Sequence, residues 1–181
     1  MKTKKNGFTV LELMVTVAIV AIIASIAMWN SGTMLKDNRA EGFLLELKRN
    51  ISFARSQAAS TDEIVIICPA PYNSVKNSPE TLTCGTEWAG DNVIITFIDA
   101  NNNGQYDSAN DSLIRIMEKA NTTDKVTFSG SNQIRFNTSG RITTTPGNFV
   151  FFPNDDKDTS KALTLSQSGT AFYIGSTDKS D

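Results

Sequence analysis

The chain has 181 residues, 17 basic and 19 acidic, for a formal net charge of −2. That near balance gives no general attraction to nucleic acid or anionic lipid. It holds no histidine, which removes the commonest general base and transition-metal ligand and every catalytic set built on one.

The first feature in chain order is an apolar run from Phe8 to Trp29 whose only charge is Glu12. As a helix it reaches about 33 Å, enough to cross a bilayer core. Lys2, Lys4 and Lys5 precede it and would hold the N-terminus in the cytoplasm. A carboxylate in such a run costs at most about 3 kcal/mol by insertion scales, and less near an end. Glu12 therefore reads either as a group snorkelling to an interface or as half of an ion pair with another chain. An ordinary secretory signal would have a shorter apolar core and a small-x-small cleavage site, for which Ser25-Ile26-Ala27 is the nearest string. A permanent single-pass anchor accounts for the length but not for Glu12.

Gly7-Phe8-Thr9-Val10-Leu11-Glu12 resembles the prepilin signature of type IV pilins and type II secretion pseudopilins. The resemblance implies that residues 1–7 are a leader, that a prepilin peptidase cuts between Gly7 and Phe8, and that Phe8 becomes a methylated N-terminus. It also implies that Glu12 meets the N-terminal amine of a neighbouring subunit. Many pilins carry a proline near the end of this run; here Trp29 and Asn30 stand there. Without Lys2, Lys4 and Lys5 the 17 basic residues fall to 14 against 19 acidic.

Beyond Asn30-Ser31-Gly32 the helical signal resumes. Leu44, Leu47, Ile51, Ala54 and Ala58 form an apolar stripe at alternating spacings of three and four, with Asp37, Glu41, Lys48 and Arg55 on the other side. One helix is expected from Phe8 to Ala59, with 8–29 in the membrane and 30–60 amphipathic. From Glu63 onward the pattern changes to short strands. These are expected at Ile64–Cys68, Asn92–Ile98, Leu113–Met117, Lys125–Ser129, Gln133–Phe136, Asn148–Phe152, Ala162–Leu165 and Ala171–Ile174. No second helical pattern is visible. The class is α+β: a long N-terminal helix packed on an antiparallel β head spanning 61–181.

Leu44–Cys68, Trp88 with Gly90 before a strand, the Asp99–Gly104 loop, and Phe136 followed by Gly140 are similar to GspH/FimT-type minor pilins and pseudopilins. The resemblance implies a head of two β-sheets and partners among other minor and major pilins, met through the N-terminal helix. It implies an inner-membrane subunit with a periplasmic head that passes into a pilus or pseudopilus tip. A minor pilin that primes assembly of a type IV pilus is the leading expectation, and a type II secretion pseudopilin the second.

Cys68 and Cys84 lie where that topology is oxidising, which favours a disulfide; two buried free thiols are the other reading. Asp99-x-Asn101-x-Asn103-Gly104, with Asp107 and Asp111 close by, matches the first half of a calcium loop. Position twelve is Asn110 where a calcium loop has glutamate, and a polar turn asks for the same residue types. Some FimT-type relatives bind DNA through a Gly-Arg-x-Arg string, which would make a DNA-uptake subunit a third reading. Gly140-Arg141-Ile142-Thr143 has one arginine only, and nucleic acid is not expected as a partner. No nucleotide-binding glycine loop or catalytic set is marked, and the chain reads as a structural subunit.

Overall fold

The computed structural model describes residues 8–77 and 80–177, the side chains of 27–31 excepted. The predicted leader, Gly7 included, lies outside the described residues. By internal contact the chain divides into two units, Met1–Leu35 and Lys36–Asp181.

Helix α1 (Val10–Thr61) starts in the first unit and ends in the second. It continues through Asn30-Ser31-Gly32. It ends where Asp62 takes a left-handed φ of 58°, which a short polar side chain tolerates better than a branched one. In the first unit every described side chain from Phe8 to Ile26 is exposed, whichever way it points. In the second unit the predicted stripe is fully buried: Leu44, Leu47, Ile51, Ala54 and Ala58 are each 0% exposed.

The head of the second unit is antiparallel. Its first sheet has the order β5-β3-β1-β7, from β1 (Val65–Pro71), β3 (Asn92–Ile98), β5 (Ser112–Met117) and β7 (Ile134–Phe136). Its second has the order β10-β9-β8-β6, from β6 (Lys125–Phe128), β8 (Asn148–Phe152), β9 (Lys161–Leu165) and β10 (Ala171–Ser176). A small ribbon joins β2 (Thr81–Leu82) to β4 (Tyr106–Asp107). The predicted strands are all present with ends shifted by a few residues. Four elements went unpredicted: the five-residue helix α2 (Tyr72–Lys76), the two-residue ribbon strands β2 and β4, and a 3-10 turn at Pro153–Asp155. All are too short to show a period.

The helix stripe packs with Val65, Ile67 and Ile94 of the first sheet and Phe149, Phe151 and Leu163 of the second in one core. Trp88 stands edge-on to Phe149 and Phe128, with centroids 4.9 and 5.4 Å away. A second apolar cluster takes the other face of the first sheet: Ile66, Cys68, Ile95 and Phe97 under Val75, Leu82 and Tyr106. Strand β1 is therefore buried on both faces, which is why Val65-Ile66-Ile67-Cys68 has no polar alternation. The Asn50 Oδ1 accepts from the Thr96 hydroxyl at 2.9 Å across the helix–sheet contact, both residues buried.

Candidate functional site

Thr9 and Glu12 close the start of α1 reciprocally. The Glu12 N–H donates to Thr9 Oγ1 and the Thr9 N–H donates to Glu12 Oε2, each at 3.2 Å. This is a capping box: two of the helix's orphan N–H groups find side-chain acceptors, and a carboxylate sits at the positive end of the helix. Thr-x-x-Glu is the sequence signal of such a box, a signal separate from the charge of Glu12 within an apolar run.

Around that cap the surface is apolar. Phe8 is 84% exposed, and Val10, Leu11 and Met14 are exposed beside it. A face of this kind calls for lipid or another apolar chain. Among the described residues no helix is long and apolar enough to cross a membrane; the described side chains of the apolar run stop at Ile26.

The 99–111 loop is closed by its own backbone. Asp99, with its side chain fully buried, accepts from the N–H groups of Asn103 and Gly104, both at 3.0 Å. Asp111 accepts from Ala100 and Asp107 N–H at 3.0 and 2.9 Å. Asn101 and Asn103 accept from backbone N–H groups two residues on, the Asx-turn arrangement. Asp107 accepts from Asn110 Nδ2 at 2.8 Å and from the Ala109 and Asn110 N–H groups. The Asn110 side-chain bond, followed by those backbone bonds, holds the Asp107 carboxyl below the usual aspartate range.

Arg135 of β7 completes the loop. Its guanidinium lies 3.3 Å from Asp99 Oδ2 and bonds Asn102 Oδ1. A fixed cation thus stands against the carboxylate that a calcium ion would need. Among the described residues no three acidic groups converge as a metal-holding set. The expected ligands Asp99, Asn101, Asn103, Asp107 and Asp111 are brought together in one loop, but their oxygens face N–H donors. Arg135 lies far along the chain, and no local signal ties it to Asp99.

Cys68 and Cys84 form a disulfide, their Cα atoms 5.5 Å apart. It ties β1 to the segment that carries α2 and β2 over the second apolar cluster. Arg55 is exposed on the solvent side of α1, as expected; its stem lies over the close-packed turns at Gly140 and Gly169, and it donates to the Thr170 hydroxyl at 2.9 Å. Arg141 is exposed on the 137–141 turn.

Comparison with known proteins adds the following. The family described as "Type II transport protein GspH" matches residues 45–169, and the "Prokaryotic N-terminal methylation motif" matches residues 2–28. Nothing among the curated proteins matches the chain. Two crystal structures of the type IV minor pilin FimU of Pseudomonas aeruginosa share the fold at 17% identity. One, in space group P21, aligns with TM-score 0.56 over 78% of this chain and 92% of its own. The other, in P65, aligns with TM-score 0.52 over 76% and 94%.

Proposed function

The chain belongs to the GspH family of minor pilins and pseudopilins, and from that premise we propose that it is a minor subunit of a type IV pilus, placed near the filament tip and priming assembly. The observation that carries this reading is the joining, in one chain, of the methylation motif over residues 2–28 to a GspH head over 45–169. The exposed apolar helix of the first unit supports it, because such a surface is buried either in lipid or against neighbouring helices. The subunit is held in the inner membrane with its head outside the cytoplasm until it is extracted into the filament. Prepilin peptidase cuts between Gly7 and Phe8, and Phe8 is then methylated. Glu12 meets the amine of Phe8 on an adjacent subunit, since a carboxylate in an apolar filament core needs a partner. The subunit has no catalytic role.

The family's printed description, a type II transport protein, favours a second reading, the corresponding pseudopilin of a secretion system. FimU, a type IV minor pilin, shares the fold and is compatible with either.

N-terminal mass analysis of the membrane-extracted protein tests the processing step. The expected species begins at methylated Phe8; one beginning at Met28 would mean an ordinary signal peptide. Recovery of the subunit with sheared surface filaments supports the pilus. Its absence there, together with loss of protein secretion when the gene is deleted, gives the second reading.

A further inference from the structure

Asn-Gly occurs twice in the chain, at Asn6-Gly7 in the expected leader and at Asn103-Gly104 in the 99–111 loop. The pair is a chemically weak point. Glycine has no Cβ, so its backbone nitrogen reaches the asparagine side-chain carbonyl carbon that a larger residue would screen. Attack forms an N–Cγ bond, the nitrogen's proton passes to the departing amide group, and ammonia leaves. Water then opens the five-membered imide at either carbonyl, giving aspartate or isoaspartate. The sequence consumes one water, releases one ammonia and needs no other reactant.

Asn103 is exposed, so water has access and ammonia an exit, yet the reacting groups are tied. The Gly104 N–H, whose nitrogen is the nucleophile, donates to Asp99 Oδ2 at 3.0 Å. The Asn103 side-chain carbonyl accepts from the Gln105 N–H at 2.7 Å, and the Asn103 N–H donates to Asp99 Oδ1 at 3.0 Å. Ring closure breaks the first bond. It also needs the backbone and side chain of Asn103 to turn, which the other two resist.

Arg135 holds the arrangement shut. Its guanidinium stands 3.3 Å from Asp99 Oδ2 and bonds Asn102 Oδ1. A Cβ at Gly104 would lie 3.5 Å from that guanidinium and 3.6 Å from Gln133 Nε2, so both side chains close over the glycine. Passing the Gly104 proton to Asp99 would forfeit the pairing of a fully buried carboxylate with its cation. Asp99 is therefore a clamp and not a base for this reaction.

We propose that Asn103-Gly104 is a self-modification site, a deamidation latched by Asp99 and Arg135, which proceeds when the 99–111 loop opens. Isoaspartate routes the chain through its side chain, one methylene longer, and displaces the Gly104 N–H from Asp99. The loop then cannot reclose as before, and an opening leaves a permanent mark. The latch lies wholly within the second unit and stands independently of the proposed assembly role.

The test uses the full-length chain, extracted in detergent and held at neutral pH. Mass spectrometry follows the peptide carrying residue 103, and chromatography separates its isoaspartate form. Native wild-type protein is expected to convert at least about tenfold more slowly than the same chain reduced and unfolded, because conversion waits on a rarely populated opening. Arg135→Ala is expected to raise the native rate several-fold, with hydrogen exchange at β8 and β9 unchanged. Should that variant fail to fold, Asn102→Gly decides. It keeps the left-handed backbone, at φ of 61°, removes the Arg135 bond, and is expected to accelerate conversion in the same sense. Native protein converting as fast as the unfolded chain, or faster, overturns the proposal, as do variants no faster than wild type. Acceleration accompanied by lost protection in β8 and β9 overturns it too, since conversion would then report global unfolding.

Discussion

Thr9 and Glu12 exchange hydrogen bonds at 3.2 Å in each direction, so within a single chain the Glu12 carboxylate already has a partner. Assembly of the proposed kind exchanges that local cap for a neighbour's amine. Thr9→Val removes the acceptor for the Glu12 N–H, and loss of a cap costs about 1 kcal/mol. Thr9→Ser keeps it.

The first prediction follows from that pair. Glu12→Gln leaves the head folded, since Glu12 belongs to the other unit, but lowers recovery with sheared filaments relative to membrane level. Thr9→Val lowers recovery less, and adds nothing once Glu12 is Gln. Equal recovery of wild-type and Glu12→Gln protein would remove Glu12 from the assembly contacts.

The disulfide is a matter of stability. Cys68 and Cys84 are 16 residues apart, and closing a loop of that size stabilises by about 3 kcal/mol in the chain-entropy model. Cys84→Ser is expected to lower the denaturation midpoint accordingly. Native protein should resist alkylation until reduced; ready labelling without reductant contradicts the bridge.

Arg135→Ala tests the 99–111 loop. It leaves the fully buried Asp99 carboxylate without its cation, and breaking such a pair costs about 3 kcal/mol. Millimolar calcium should leave the wild-type melting temperature unchanged. A rise that Asp99→Ala abolishes would restore the metal reading of this loop.

The same loop predicts an acid response. Because Asp107 has a folded pKa below its usual 3.8, its bonds to Asn110 and Ala109 stabilise fully above that value and are lost as pH falls through the lowered one. Asp107→Asn should therefore flatten the fall in stability below about pH 4. Parallel acid-unfolding curves for the two proteins would exclude a role for this carboxylate.

Two glycines separate strain from collision. Gly169 and Gly90 both have left-handed backbones, at φ of +82° and +72°. A Cβ at Gly169 would lie 2.8 Å from the Phe136 ring and 2.9 Å from the Gly140 carbonyl, whereas at Gly90 it meets nothing within 4 Å. Gly90→Ala is expected to cost about 1 kcal/mol for the backbone alone. Gly169→Ala should cost clearly more, and equal melting temperatures would contradict the packing of that turn.

Much of this protein was readable before folding, because periodicity is local. The helix stripe from Leu44 to Ala58 follows from spacings of three and four, and the eight longer strands from alternation or from unbroken runs of β-branched and aromatic residues. The Gly7–Glu12 string and the run behind it mark the N-terminal motif. The helix α2 and the ribbon strands β2 and β4 escaped because a five-residue helix and two-residue strands are too short to repeat their own period.

The calcium-like spacing of Asp99, Asn101 and Asn103 is a property of the sequence alone, and oxygen ligands and Asx turns ask for the same residues. Only tertiary structure brings Arg135, from another strand, against Asp99, which favours the turn. It likewise left β10 at an open edge with Phe172 and Ile174 in solvent. A strand's own residues say that it will pair; which neighbours it has, and which edge stays empty, depend on chain segments far away in sequence.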